Sequence, residues 1–135
     1  MTASFAIGLG ARRDVRAADL ADLVRRVAGD LGVELADSAL FTAESKSTEP
    51  GFHDAARQLG LSLTFLPLEA LKERRDATKT HSTRVQAMFG VGSVCEAAAL
   101  VGAGSGSRLL APRQSTPTAA CAIATRLFDI TENGG

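Results

Sequence analysis

Three times between Ser4 and Leu71 a short apolar run gives way to a helix-forming stretch, with glycine or proline punctuating the changes. This alternation leaves few architectures, because strands separated by helices return to one sheet as parallel neighbours, with the helices laid on its faces. Ser4 to Leu9 (S-F-A-I-G-L) reads as a buried first strand, and Gly10 to Arg13 as a tight basic loop. Asp14 is expected to cap a helix running to about Leu31, in which Leu20, Leu23, Val24, Val27 and Leu31 form one apolar stripe. Asp19, Asp22, Arg25 and Arg26 fall on its other face, and Gly32 supplies the stop.

Ala39 to Thr42 predicts a second strand, followed by the polar loop Glu44 to Glu49. Pro50 suits the first turn of a second helix, whose Phe52, Ala55, Ala56 and Leu59 face the core and which Gly60 ends. Leu61 to Leu66 reads as a third strand, and Pro67 opens a short helical turn carrying Leu68 and Leu71. Lys72 to Gln86 is polar, basic and without periodicity, and is expected to be an exposed loop. Gly90-Val91-Gly92-Ser93 then leads into a helix over Val94 to Val101, with Ser93 and Glu96 at capping-box spacing. Ser107 to Ala111 and Thr118 to Thr125 read as strands four and five. Pro112 to Pro117 is too short for a helical crossover, so strand five should run antiparallel to strand four. The expectation is one α/β domain over residues 1–135, a three-layer α/β/α fold with a mostly parallel five-stranded sheet and its last strand antiparallel.

Composition narrows the function. Fifteen basic and fifteen acidic residues cancel, and there is no Trp or Tyr among the aromatics. Neither a global field nor stacking platforms are then available for nucleic acid. No run of ~18 apolar residues could span a membrane, and the N-terminus lacks the charged start and apolar run of a signal peptide. Cys95 and Cys121 stand far apart in apolar company and read as buried thiols of a reduced, cytoplasmic protein. His53 and His81 have no metal-spaced partners, so neither a metal site nor a cofactor is expected.

In sheets of this kind, ligands bind where the loops following the strands gather. The first such loop contains Gly8, Gly10, Arg12 and Arg13; Arg13 occupies the place of the third glycine of a dinucleotide fingerprint, and no P-loop Lys follows. It either presents two guanidinium groups at the strand end or is a strand terminus with solvated arginines. The second carries Lys46 and Glu49, an anion site, a charge and general base, or an exposed ion pair worth ~0–1 kcal/mol. The third, Gly90, Gly92 and Ser93 at a helix start, offers free N–H groups to a carboxylate or phosphate, while Glu96 reads as structural. Arg113 adds a further charge at the same edge.

Four stretches in order carry a resemblance: Ile7-Gly8-Leu9-Gly10-Ala11-Arg12-Arg13, Lys46-x-x-Glu49-x-Gly51-Phe52, Gly90-Val91-Gly92-Ser93-Val94-x-Glu96-Ala97-Ala98-Ala99-Leu100, and Leu109-Leu110-Ala111-Pro112-Arg113 with Thr118 to Ala124. Together they resemble the CobE and CbiG C-terminal family of cobalamin (vitamin B12) biosynthesis over about residues 4 to 127. The chain departs from that pattern at Ala11, where the family often has Cys, at Asp14, where glycine is common, and at Arg113, where lysine is frequent. The resemblance implies a corrinoid or precorrin intermediate as ligand, with other cobalamin-pathway enzymes as candidate partners. Arg12, Arg13, Lys46, Arg113 and the helix start at Ser93 would meet its acetate and propionate carboxylates, and Gly8, Gly10, Gly90 and Gly92 would permit close approach. Two further readings stand beside binding or carriage. One is a cobalt-precorrin-5A hydrolase-like enzyme opening the ring-A lactone, with Glu49 as base and Lys46 or Arg12 stabilising the oxyanion. The chain's lack of the N-terminal part of CbiG is expected to weigh against it. The other is a subunit whose basic edge is covered by a protein.

Overall fold

A strand that is apolar at successive positions needs cover on both faces, and the first strand obtains it. In the computed structural model, which describes residues 3–74 and 93–126, β1 (Phe5–Ala11) runs through the sheet interior with Ala6, Ile7, Gly8 and Leu9 buried. α1 (Ala17–Leu31), β2 (Ser38–Ala43), α2 (Pro50–Leu59) and β3 (Leu63–Leu66) follow as two parallel strand–helix–strand steps. α3 (Leu68–Lys72), α4 (Val94–Ala103), the short strands β4 (Arg108–Leu109) and β5 (Gln114–Ser115), and the long β6 (Ala119–Thr125) complete the described chain.

The strand order is β3-β2-β1-β6-β4, with β5 also paired to β6. β6 enters antiparallel beside β1, in register from Phe5 with Thr125 to Ala11 with Ala119, and both β4 and β5 run antiparallel to it. All strands but β6 therefore point one way, the mostly parallel sheet that the sequence implies. It has six strands where the sequence implies five, because β5 forms inside the Pro112–Pro117 connection.

α1 and α2 cover one face. Leu20, Leu23, Val24 and Val27 join Phe52 and Ala55 over Ile7, Leu9, Leu40, Cys121 and Ile123, each large side chain contributing about 1.5–3 kcal/mol by leaving water. Both helices end at a glycine with φ of 70°, Gly32 and Gly60. The following N–H turns back in each case, Val33 to the Ala28 carbonyl at 2.8 Å and Leu61 to that of Ala56 at 3.1 Å.

α4 covers the other face. Its sequence, V-C-E-A-A-A-L-V-G-A, is apolar nearly all round, which suits a helix buried on more than one side. Cys95, Ala99, Leu100 and Ala103 lie on Ala6, Ala122 and Ala124, while Ala97 and Ala98 meet Leu71 of α3 and Ala43. The approach is backbone to backbone at Gly8. A Cβ there would overlap the Cys95 carbonyl oxygen and come within 2.6 Å of the Ala99 nitrogen.

Two local expectations need correction. α1 starts at Ala17 behind Arg16, not behind Asp14, because Asp14 adopts φ of 63° and turns the chain before the helix begins. The expected exposed loop from Lys72 also starts too early. Lys72 belongs to α3, and the Arg74 guanidinium donates to the Gly104 carbonyl at 2.9 Å, the Ser107 hydroxyl at 2.9 Å and the Ser107 carbonyl at 2.8 Å. It thereby caps the carbonyl end of α4, where free acceptors and the helix dipole favour a cation. Residues 75–86 of that expected loop lie outside the described residues.

Gly8 and Gly29 provide a matched test, since a Cβ at Gly29 in α1 would meet nothing within 4 Å. Gly8→Ala should cost about 3 kcal/mol or more as α4 is forced off β1, whereas Gly29→Ala should be neutral or stabilise by roughly 0.5–1 kcal/mol. Urea unfolding of both variants checks this, and equal effects would refute the close-packing account.

Candidate functional site

The carboxyl ends of β1 and β2 meet the starts of α2 and α4 at one edge of the sheet. Thr42 locks the two strand ends together, its hydroxyl donating to the Leu9 carbonyl at 2.7 Å in the buried interior. Arg12 continues the β1–β6 ladder one step further, its N–H donating to the Thr118 carbonyl at 2.9 Å. The side chains of Arg12 and Arg13 then stand exposed.

On the α2 side, the chain leaves β2 through a 3-10 turn at Glu44–Lys46 and enters the helix with Glu49 as its N-cap. The Glu49 N–H donates to the Lys46 carbonyl at 3.0 Å. Its carboxylate reaches across the edge, where Oε1 accepts the Asp14 N–H at 2.8 Å. Gly51 lets the first loop lie directly on α2, since a Cβ there would overlap the Val15 carbonyl oxygen. Asp14 adopts a left-handed φ of 63°, a conformation that glycine takes up without strain.

On the α4 side, Gly10 lies under the first turn, where an added Cβ would be 3.9 Å from that of Cys95. The Ser93 hydroxyl caps α4 by accepting the Glu96 N–H at 3.3 Å, the serine half of the expected capping box. Glu96 is fully buried, and its Oε2 accepts the Arg113 N–H at 2.9 Å. That N–H is free for Glu96 because the edge strand is broken here. Five steps separate Leu109 from Gln114, but only three separate their partners Ala124 and Cys121 on β6. The surplus is a bulge at Pro112–Arg113, where Pro112 has no N–H to give to a ladder.

The structure thus brings Gly10, Arg12, Arg13, Lys46, Glu49, Ser93 and Arg113 to one edge, together with Asp14 and Glu96. Gly8 lies deeper, with α4 filling the space above it. Gly90, Gly92 and His81 lie outside the described residues. Arg12, Arg13, Lys46 and Arg113 make no ion pair among the described residues, whose salt bridges are the helix pairs Arg25–Asp22 and Arg57–Asp54. His53, in the first turn of α2, has its Nε2 2.7 Å from the Ser47 carbonyl and its ring 5.2 Å from that of Phe65 on β3. No cluster of metal-ligating side chains occurs among the described residues.

Sequence reasoning missed the reach of Glu49 to Asp14 and of Glu96 to Arg113, because neither spacing is local. One signal was present: Glu96 is the single charge in the otherwise apolar run Val94–Ala103. Concavities among the described residues include one between α1 and the β5–β6 turn, lined by Asp22, Arg26 and Thr118, and one at the far sheet end beside Phe5, Phe41 and Gly102.

Cys95 borders this edge inside the core. Burial pushes its thiol up to about 11 from the ordinary 9.0, against the opposing pull of the Ser93 hydroxyl and the Arg113 charge; Glu96 adds to the rise. Cys121, equally buried, is raised further by desolvation.

A family model described as "Cobalamin synthesis G C-terminus" matches residues 5–124. The chain is 29% identical over 123 residues to "Protein CobE" from Sinorhizobium sp., covering 90% of this chain and 80% of that one. It is similar to the solved structure of CobE, a protein from the cobalamin (vitamin B12) biosynthetic pathway, at 32% identity and a TM-score of 0.86, covering 94% and 93% of the two chains. It is also similar to cobalamin biosynthesis protein chiG from Agrobacterium tumefaciens str. C58, at 34% identity and a TM-score of 0.73, covering 91% and 98%.

The raised Cys95 pKa makes a signed prediction. Below pH 9 both folded and unfolded thiols are protonated; between about 9 and 11 the unfolded thiol ionises while the folded one does not, so stability falls as pH rises. The loss should be at most on the order of 3 kcal/mol, and smaller in Cys95→Ala than in the parent chain. Urea melts at pH 8 to 10.5 measure it; an identical pH slope in the two proteins would contradict the assignment.

Proposed function

This chain belongs to the cobalamin synthesis G C-terminus family, as a protein of the CobE type, and from that premise we propose that it binds or carries a corrinoid precursor by the precursor's carboxylate side chains. The observation that carries this reading is the division of charge at the sheet edge. Two acids there, Glu49 and Glu96, are committed to backbone N–H groups of neighbouring loops. Arg12, Arg13, Lys46 and Arg113 keep their charges unpaired among the described residues. A corrin precursor is a large apolar ring rimmed by acetates and propionates, and cations spaced along the sheet edge suit such a rim. Both cysteines are free and buried, in keeping with a reduced cytoplasmic setting.

A hydrolytic role would need Glu49 as a general base. The bond from Asp14 to its Oε1 favours anchorage of the arginine loop over proton abstraction. The same edge could instead be covered by another enzyme of the pathway, in which case the basic side chains would be lost from the surface in the complex.

Spectral titration with late precorrin intermediates tests the reading. Wild type should bind, and Arg12→Ala with Lys46→Ala should weaken binding by roughly tenfold or more. Absence of binding by wild type, or unchanged binding by the double variant, would overturn it. Glu49→Gln separates the two roles: as an anchor it should bind within roughly three- to tenfold of wild type, with Glu49→Ala weaker. Mass analysis after incubation with the lactone-bearing intermediate should find no loss of a two-carbon fragment; a loss by wild type that Glu49→Gln abolishes would establish the hydrolase instead.

A further inference from the structure

A carboxylate inside a helix that is otherwise alanine, cysteine, leucine, valine and glycine demands explanation. Glu96 is fully buried in the first turn of α4, with Ala97, Ala98 and Ala99 after it. Ionised groups are costly to bury unless hydrogen bonds compensate, and an apolar side chain of similar volume is often at least as stable. Packing alone therefore gives no reason for glutamate here. One of its bonds crosses the sheet edge, where Oε2 takes the N–H of Arg113 at the break between β4 and β5. Arg113 is half-buried, and its backbone N–H is tied to the first turn of α4 by the 2.9 Å bond to Glu96.

We propose that Glu96 is a positioning residue: by holding the backbone N–H of Arg113 it fixes the edge-strand bulge and sets where that guanidinium meets a ligand carboxylate. Glu49 holds the Asp14 N–H behind Arg12 and Arg13 in the same manner, so the edge uses one device twice. The proposal rests on the carboxylate-binding reading above for its function, and on the Glu96–Arg113 bond for its geometry.

The test uses the full chain, the corrinoid polycarboxylate cobyrinic acid as probe, and amide hydrogen exchange at Arg113. Glu96→Met fills the same space without an acceptor. It should leave the far-UV spectrum unchanged, speed Arg113 exchange roughly tenfold or more, and weaken binding as much as Arg113→Ala does. Adding Glu96→Met to Arg113→Ala should weaken binding no further, because once the guanidinium is gone its placement by Glu96 no longer affects the ligand. Glu96→Gln, whose amide oxygen still accepts, should fall between wild type and Glu96→Met in both measurements. Unchanged Arg113 exchange in Glu96→Met, unchanged affinity, or additive losses in the double variant would overturn the proposal. Should Glu96→Met fail to fold, Glu96→Ala, which also removes the acceptor, takes its place with the same expected and overturning outcomes. Failure of wild type to bind cobyrinic acid would sink the corrinoid reading, while the exchange rates would still judge the clamp.

Discussion

The contact of α4 with β1 at Gly8 sets the position of the helix start at the candidate edge. With no side chain there, the helix backbone comes down onto the strand, and its first turn ends beside Gly10. Ser93 and Glu96 consequently stand at the carboxyl end of the central strand, within reach of the loops that follow its neighbours. A single methyl group at position 8 would shift the helix, and the Glu96–Arg113 bond would have to stretch or break with it. Arg74 and Ser107 secure the opposite end of the same helix, so α4 is located along its length as well as in depth.

Around that fixed helix the edge sorts its charges by task. Glu49 and Glu96 hold backbone N–H groups, and Arg12, Arg13, Lys46 and Arg113 make no ion pair among the described residues. A backbone N–H bound to a carboxylate fixes a loop without consuming a basic side chain, unlike a surface ion pair between the same charges. Under the proposed function, specificity would then come from the spacing of Arg12, Arg13, Lys46 and Arg113 along that edge. This fits a ligand whose carboxylates surround a large ring, and fits poorly a nucleotide, whose phosphates prefer a glycine-rich turn at a helix start.

The sequence made most of the fold legible where the signal is periodic or local. The Leu20–Val27 stripe, the glycine stops at Gly32 and Gly60, and the Ser93 cap all depend on residues within a few positions of one another. The short Pro112–Pro117 connection correctly implies an antiparallel last strand, but not that β6 lies between β1 and β4, since a tight turn sets direction and not the far neighbour. Asp14 looks like an N-cap because its chemistry fits; in the fold its N–H is instead held by Glu49, 35 residues away, which no local rule anticipates. The same holds for the edge: Arg12, Lys46, Ser93 and Arg113 are visible as candidates, whereas the carboxylate anchors behind them exist only in the folded chain. Arg74 looks like part of a solvated basic stretch until α4 presents its carbonyl end.

Amide chemical-shift mapping during titration with cobyrinic acid tests the central claim most directly, because it reads location as well as binding. The account predicts perturbations concentrated at Gly10 to Asp14, Lys46 to Gly51, Ser93 to Glu96 and Arg113 to Gln114, with Gly32, Gly60 and Gly104 unmoved at the opposite end of the sheet. Perturbations centred on that opposite end, or on the groove beside Asp22 and Thr118, would contradict it.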